Sequence, residues 1–252
     1  VKTQTSWWFS PDEFAYVWES ETGLDTIPFP ISILETPPTS EEYEAQRRRF
    51  EAKFPQHQDP DLIGPMRVLA NPELQIMSWG RFHHSENRIR ALAAASADLG
   101  VILFQKSGPA QDFGGDVRLV VTRRQQLGKH LAATLPQTPA GAVAQMRGYT
   151  PRVRGEEPPS SWGRNQNGQS PVEERIRMLL RAPRSAEGYL RIERHLHQDR
   201  RYPPDYMSWF DVRTGAPAVG RYLVDVAHTD TFITPASAET IAAELFRRAD
   251  LG

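Results

Sequence analysis

Apolar positions along this chain recur with two periods, and the places where the period changes mark the elements. Phe14, Val17 and Trp18 stand at i, i+3 and i+4 behind Ser10-Pro11-Asp12-Glu13, which has a capping-box residue at each end and proline at the first helical position, so a helix is predicted to start there and to stop near Gly23. Pro28-Phe29-Pro30-Ile31-Ser32-Ile33 reads as a short edge strand, because proline lacks a backbone donor and is tolerated at sheet margins. Ser40 to Phe54 is rich in Glu, Arg and Ala and free of Pro and Gly, which predicts an exposed helix capped by Ser40 and stopped by Pro55. A shorter helix follows over Asp61 to Leu69, with Pro65 inside it.

From Glu73 the pattern becomes strand-like, through Leu74, Ile76 and Trp79 to Phe82, and then meets a polar turn at His83-His84-Ser85-Glu86-Asn87. Arg88 to Leu92, Val101 to Gln105 and Asp116 to Val121 complete a predicted meander, with turns at Asp98-Leu99-Gly100 and Gly114-Gly115. A helix over Arg124 to Leu135 closes this half, residues 1–135.

Residues 136–171 have no period and collect Pro, Gly, Ser, Asn and Gln, a composition that buries too little apolar area to offset ordering entropy, so a mobile connector is expected. Over 172–252 the periodicity resumes with a helix from Val172 to Arg181 and strands at Tyr189 to Leu196, Tyr206 to Val212 and Arg221 to Ala227. Thr214-Gly215-Ala216-Pro217 supplies a turn, and a last helix is predicted with Thr234 as cap and Pro235 at its first position, running through Ile241, Leu245 and Phe246. The second half thus repeats the first half's order of meander then helix. The expected fold class is α/β in the α+β sense, a single domain.

Composition narrows the chemistry. Lys plus Arg number 30 against 31 Asp plus Glu, so no field of one sign draws the molecule to nucleic acid or an anionic membrane, and a partner must be read by local surface. The chain has no cysteine, which removes disulfides, thiol nucleophiles and thiolate zinc sites together. No apolar run approaches the roughly 20 residues of a membrane span, and the first residues do not read as an export signal, so cytoplasmic residence without membrane association is expected.

Candidate catalytic groups are sparse. His195-Leu196-His197 would set two imidazoles on one strand face and His83-His84 are adjacent, yet neither spacing gives the three or four convergent ligands of a metal site. Asp205, Asp211 and Asp225 could serve a hydrolase if they converged with His195 or His228; salt links and turn caps are the alternative reading. Arg47-Arg48-Arg49 and Arg123-Arg124 could touch phosphates, but Glu41, Glu42, Glu44 and Glu51 surround the first run, which favours a solvated helix face over nucleic-acid binding. No catalytic centre, metal or cofactor is expected.

A face count in the C-terminal meander is more informative. If Leu190, Ile192, Leu196, Phe210, Val212, Tyr222, Val224 and Val226 point to the core, alternation sends Tyr189, Arg191, Glu193, His195, Trp209, Asp211, Arg221, Leu223 and Asp225 to the other side. Trp, Tyr and Arg on a polar surface are the residue types of interface hot spots. Helices covering this face as well is the competing reading.

Several segments together resemble the EspG family of ESX (type VII) secretion-associated chaperones. Phe9-Ser10-Pro11-Asp12-Glu13-Phe14 with Val17-Trp18-Glu19 is similar to the family's amino-terminal helix, and Leu135-Pro136-Gln137-Thr138-Pro139-Ala140-Gly141 to its exit from the first half. Gly220-Arg221-Tyr222-Leu223-Val224 and Ile233-Thr234-Pro235-Ala236-Ser237 are similar to its carboxy-terminal strand and helix. The resemblance implies a central antiparallel sheet with helical bundles at its ends and two quasi-symmetric halves. It also implies a cytosolic, non-enzymatic holdase that shields the hydrophobic tip of a PE/PPE heterodimer and directs it to an ESX machine. Free of client, the protein is expected as a monomer or weak homodimer. The expected protein-binding residues are the nine of the second face together with the loop His83, His84, Ser85, Glu86 and Asn87.

Overall fold

The computed structural model describes residues 5–34, 36, 39–108, 110–158, 170–199 and 202–252. The first half runs β1 (Ser6–Phe9), α1 (Pro11–Thr22), α2 (Ser40–Lys53) and α3 (Pro60–Ala70), then a meander of β2 (Leu74–Phe82), β3 (Arg88–Ser96), β4 (Leu99–Ser107) and β5 (Gly114–Arg123), and ends in α4 (Leu127–Thr134). The second half repeats this plan with β6 (Met146–Tyr149), α5 (Thr150–Arg154) and α6 (Val172–Leu180). Its meander is β7 (Arg184–Glu193), β8 (Asp205–Val212), β9 (Gly220–Ala227) and β10 (Asp230–Pro235), followed by α7 (Ala238–Arg248).

All described strands join one antiparallel sheet in the order β1-β5-β4-β3-β2-β7-β8-β9-β10-β6. In each half the opening strand returns to pair with the last strand of the meander, Trp7 opposite Leu119 and Gly148 opposite Thr231. The halves meet where β2 pairs with β7, placing Gly80 opposite Gly188 and Trp79 opposite Tyr189. The two quasi-symmetric halves and the α/β class expected from the sequence are what the chain forms.

Helices cover the two faces of the sheet differently. On the first face α4 and α7 pack together over its middle, with Leu127, Leu131, Ile241 and Leu245 in one cluster with Ile76, Ala91, Ala93, Ile102, Leu190 and Trp209. On the second face the cover is split. At one end α1 and α3 set Phe14, Val17, Trp18, Met66 and Leu69 against Leu92, Val101, Leu103 and Leu119. At the other, α5 and α6 set Val153, Ile176 and Leu179 against Phe210, Tyr222 and Ile233. Each fully enclosed Leu, Ile or Phe contributes roughly 1.5–3 kcal/mol of transfer free energy.

Several boundaries differ from the expectations. The first helix keeps its capping box, Ser10 Oγ accepting from the Glu13 N–H at 3.2 Å and Glu13 accepting from the Ser10 N–H at 2.9 Å, and it ends at Gly23 with φ 71°. The second is capped by Thr39, not Ser40. Pro28 to Ile33 is not an edge strand: the Ser32 backbone is satisfied by the Gln105 amide in both directions and by the Gly114 N–H, not by a ladder. Within the expected connector, β6 and α5 are regular structure, because β6 completes β10's ladder and Val153 joins the third core cluster; residues 159–169 lie outside the described ones. Thr234 and Pro235 end a strand, and Ser237 caps α7 by accepting from the Thr240 N–H at 3.2 Å.

Candidate protein-binding surface

Alternation within each strand holds, and so does the expected offset between β8 and β9, but the offset between β7 and β8 is not the one the face count assumed. Residues directly opposite across a ladder share a face. The register Gly188 to Trp209 to Leu223 therefore puts Trp209, Asp211, Arg221, Leu223 and Asp225 on the first face with Leu190 and Ile192. Tyr189, Arg191 and Glu193 lie on the second face with Phe210, Val212 and Tyr222. The nine residues do not form one surface. Trp209, Asp211, Arg221 and Leu223 are buried, and Asp225 holds the Arg248 guanidinium at 2.6 Å. His195 is not on a strand: it sits in the turn after β7 with φ 57°, its ring 5.1 Å from that of Tyr202.

The buried group is a structural clamp. Arg221 donates to both oxygens of Asp211, and a third bond goes to the Pro136 carbonyl at 2.7 Å. Asp211 also accepts from the Thr138 hydroxyl at 2.7 Å. The segment leaving α4 is thereby tied to β8 and β9, and the guanidinium lies 5.0 Å from the Trp209 ring centre. Every lone pair and donor used here faces a protein partner, so little of the pair is left for a ligand.

Among the described residues, what remains open is the middle of the second face, between the two helix clusters. There Trp79 on β2, Tyr189 on β7 and Tyr206 on β8 form a row of rings with centroids 5.8 and 6.2 Å apart. Tyr206 is 50% exposed. Arg191 and Glu193 pair with each other beside the row, and Ser208 is exposed across from Tyr189. Tyr189 was legible as a candidate; Trp79 and Tyr206 were not, because their proximity depends on the pairing of β2 with β7 and carries no local signal.

One end of this strip is bordered by the β2–β3 turn. His83 to Asn87 are exposed, and the turn is tied to β7 by the His83 N–H donating to the Ser185 carbonyl at 2.9 Å. Glu187 collects Arg81, Arg184 and, at 3.3 Å, the His83 imidazole. Burial alone would raise the Glu187 carboxyl, but hydrogen bonds and charge from Arg81 and Arg184 outweigh it and hold the group below its ordinary value.

The catalytic alternative is not assembled. Asp211 is sealed against Arg221, Asp205 and Asp225 both bond Arg248, and His195 meets Gln198 at 3.3 Å. Among the described residues no group of three or more His, Asp or Glu could hold a metal ion, and no helix is long and apolar enough to cross a membrane. In the second basic run Arg124 pairs with Glu73 at 3.5 Å.

A family model described as the EspG family matches residues 10–247. No curated protein matches the chain.

Proposed function

The chain belongs to the EspG family of ESX secretion-associated chaperones, and from that premise we propose that it holds a PE/PPE-type helical heterodimer in the cytoplasm and shields its hydrophobic tip before secretion. The observation that carries this reading is the uncovered row of Trp79, Tyr189 and Tyr206 between two helix clusters. Aromatic rings on a rigid sheet lose little conformational entropy on binding and present apolar area with a polar tip, which suits an apolar helix end that must later be released.

Size sets a further requirement. Three strands across and seven residues along make a strip of roughly 300 Å² from ladder spacing and rise, against about 800 Å² per partner in a stable complex. The client must therefore reach beyond the strip, and the His83–Asn87 turn at its end and the flanking helices are the surfaces within reach. Of the expected binding residues, the reading retains Tyr189, Arg191, Glu193 and His83 to Asn87, and adds Trp79 and Tyr206.

Co-expression with a PE/PPE pair from the same secretion locus, followed by size-exclusion chromatography with light scattering, tests this. A complex of one chain with one heterodimer is expected, lost in Tyr189→Ala with Tyr206→Ala while the fold is retained. A complex of unchanged affinity in that variant would refute the assigned surface, and no complex with any locus-encoded pair would refute the client class.

A further inference from the structure

A cavity of about 190 Å³ lies between α1 and α2, far along the chain from the sheet strip. Its walls follow from helical spacing: Asp12, Tyr16 and Glu19 recur about one turn apart on α1, as do Tyr43, Arg47 and Phe50 on α2, and the loop residue Asp25 helps to line it. The Tyr16 and Phe50 rings are 5.8 Å apart and tilted by 49°; Phe50 is buried, and Tyr43 stands exposed.

The carboxylates are used unequally. Asp12 is occupied, accepting from the Thr36 backbone N–H at 3.1 Å, from the Thr36 hydroxyl and from the Gln46 amide at 3.0 Å. Among the described residues the Glu19 side chain has no hydrogen bond or ion pair, and Asp25 accepts only from the Thr26 hydroxyl at 3.0 Å. Arg47 lines the same cavity and pairs with none of them. Three carboxyl residues, one arginine and three aromatic residues thus line one space.

We propose that this cavity binds an organic cation head group of the alkylammonium class. Ring faces carry negative quadrupole charge and attract a cation within about 6 Å, and N-alkyl groups pack on the same faces. Glu19 and Asp25, which have no ion-pair partner among the described residues, supply the matching sign at the rim. The volume is below the roughly 300–1,000 Å³ of drug-sized sites, so a head group enters and the rest of the molecule stays outside. The same chemistry is offered by a free quaternary ammonium compound or by a lysine side chain on a bound protein.

The test is an NMR titration of the full chain, reading the ring signals of Tyr16, Tyr43 and Phe50. Choline, its neutral isostere 3,3-dimethylbutan-1-ol and N-acetyl-lysine methylamide are the probes. Saturable shifts with a cation and at least about tenfold weaker binding of the neutral isostere are expected. Glu19→Gln with Asp25→Asn should weaken the cation about tenfold, and Arg47→Ala should strengthen it by removing a competing charge. Whichever cation binds tighter identifies the source. Equal binding of choline and its isostere, shifts that do not saturate, or affinity unchanged in the carboxamide variant would each overturn the proposal. All the substituted positions are solvent-exposed, and far-UV circular dichroism confirms that each variant is folded.

Discussion

Arg221 and Asp211 face each other across β8 and β9, joined by two hydrogen bonds of 2.7 and 2.8 Å, and both side chains are almost wholly enclosed. Burying two charges costs several kcal/mol per ion, which the pair offsets only while both members and their further bonds to Pro136 and Thr138 are present. Arg221→Ala leaves a buried carboxylate without its counter-ion and is expected to cost about 3–5 kcal/mol, on the order of 10 °C in Tm. Replacing both residues, as Arg221→Met with Asp211→Leu, should cost less than the single change. Urea denaturation of Arg221→Met, Asp211→Leu and the double closes the cycle; a double variant as unstable as the sum of these singles would show the pair to be uncoupled.

Close approach at the join between the halves gives a second expectation. A Cβ on Gly80 would meet the Trp209 ring at 2.9 Å and the Glu187 carbonyl at 3.0 Å. On Gly188 it would run into the Trp79 carbonyl oxygen and lie 2.7 Å from the Gly80 Cα, both backbone atoms that cannot turn aside. Gly80→Ala should destabilise by about 1–3 kcal/mol, and Gly188→Ala by more. Equal melting temperatures for the two variants would contradict this account of the seat.

These two relationships also explain what the sequence could and could not reveal. Both ends of helix α1 were legible because its capping box and Gly23 are local signals. Strand β3 was read only to Leu92, since Ala93, Ala94 and Ala95 have low strand propensity; burial against helices on both faces overrides propensity there. The face of each C-terminal meander strand was read correctly within the strand and between β8 and β9, and wrongly between β7 and β8. A register offset of one residue, fixed by pairing at Gly188 and Trp209, moves a whole hydrophobic set to the opposite side. Strand β6, with four residues, gains its place from β10 far along the chain, so nothing local distinguishes it from connector.

The Glu187 hub predicts a pH dependence. Its carboxyl is held below the ordinary value of 4.5, so the folded state favours the ionised form and the unfolded state binds the proton more tightly. The stabilisation is fully present above that value and is lost as pH falls through the lower folded one. The stability difference between the native chain and Glu187→Gln should therefore be constant near neutrality and shrink below about pH 4.5. Denaturation curves for both proteins between pH 7 and pH 3 measure it, and a difference that grows on acidification would reverse the assigned sign.

Trp209 and Tyr206 sit on one strand, three residues apart, and separate the two roles of the sheet. Trp209 is 2% exposed beneath α4 and α7, whereas Tyr206 is half exposed on the opposite, uncovered face. Trp209→Ala should cost about 3–5 kcal/mol by opening a cavity over Gly80 and Gly188, and any loss of client binding it causes would follow the loss of fold. Tyr206→Ala removes little enclosed area, so stability should change by no more than about 0.5 kcal/mol, while client affinity should fall at least about tenfold, as for an interface hot spot. Measuring Tm and client affinity for both variants places each residue on a two-axis plot. Loss of affinity at native Tm for Tyr206→Ala fixes the second face as the client surface; native affinity there would move the client to the helices that flank the strip.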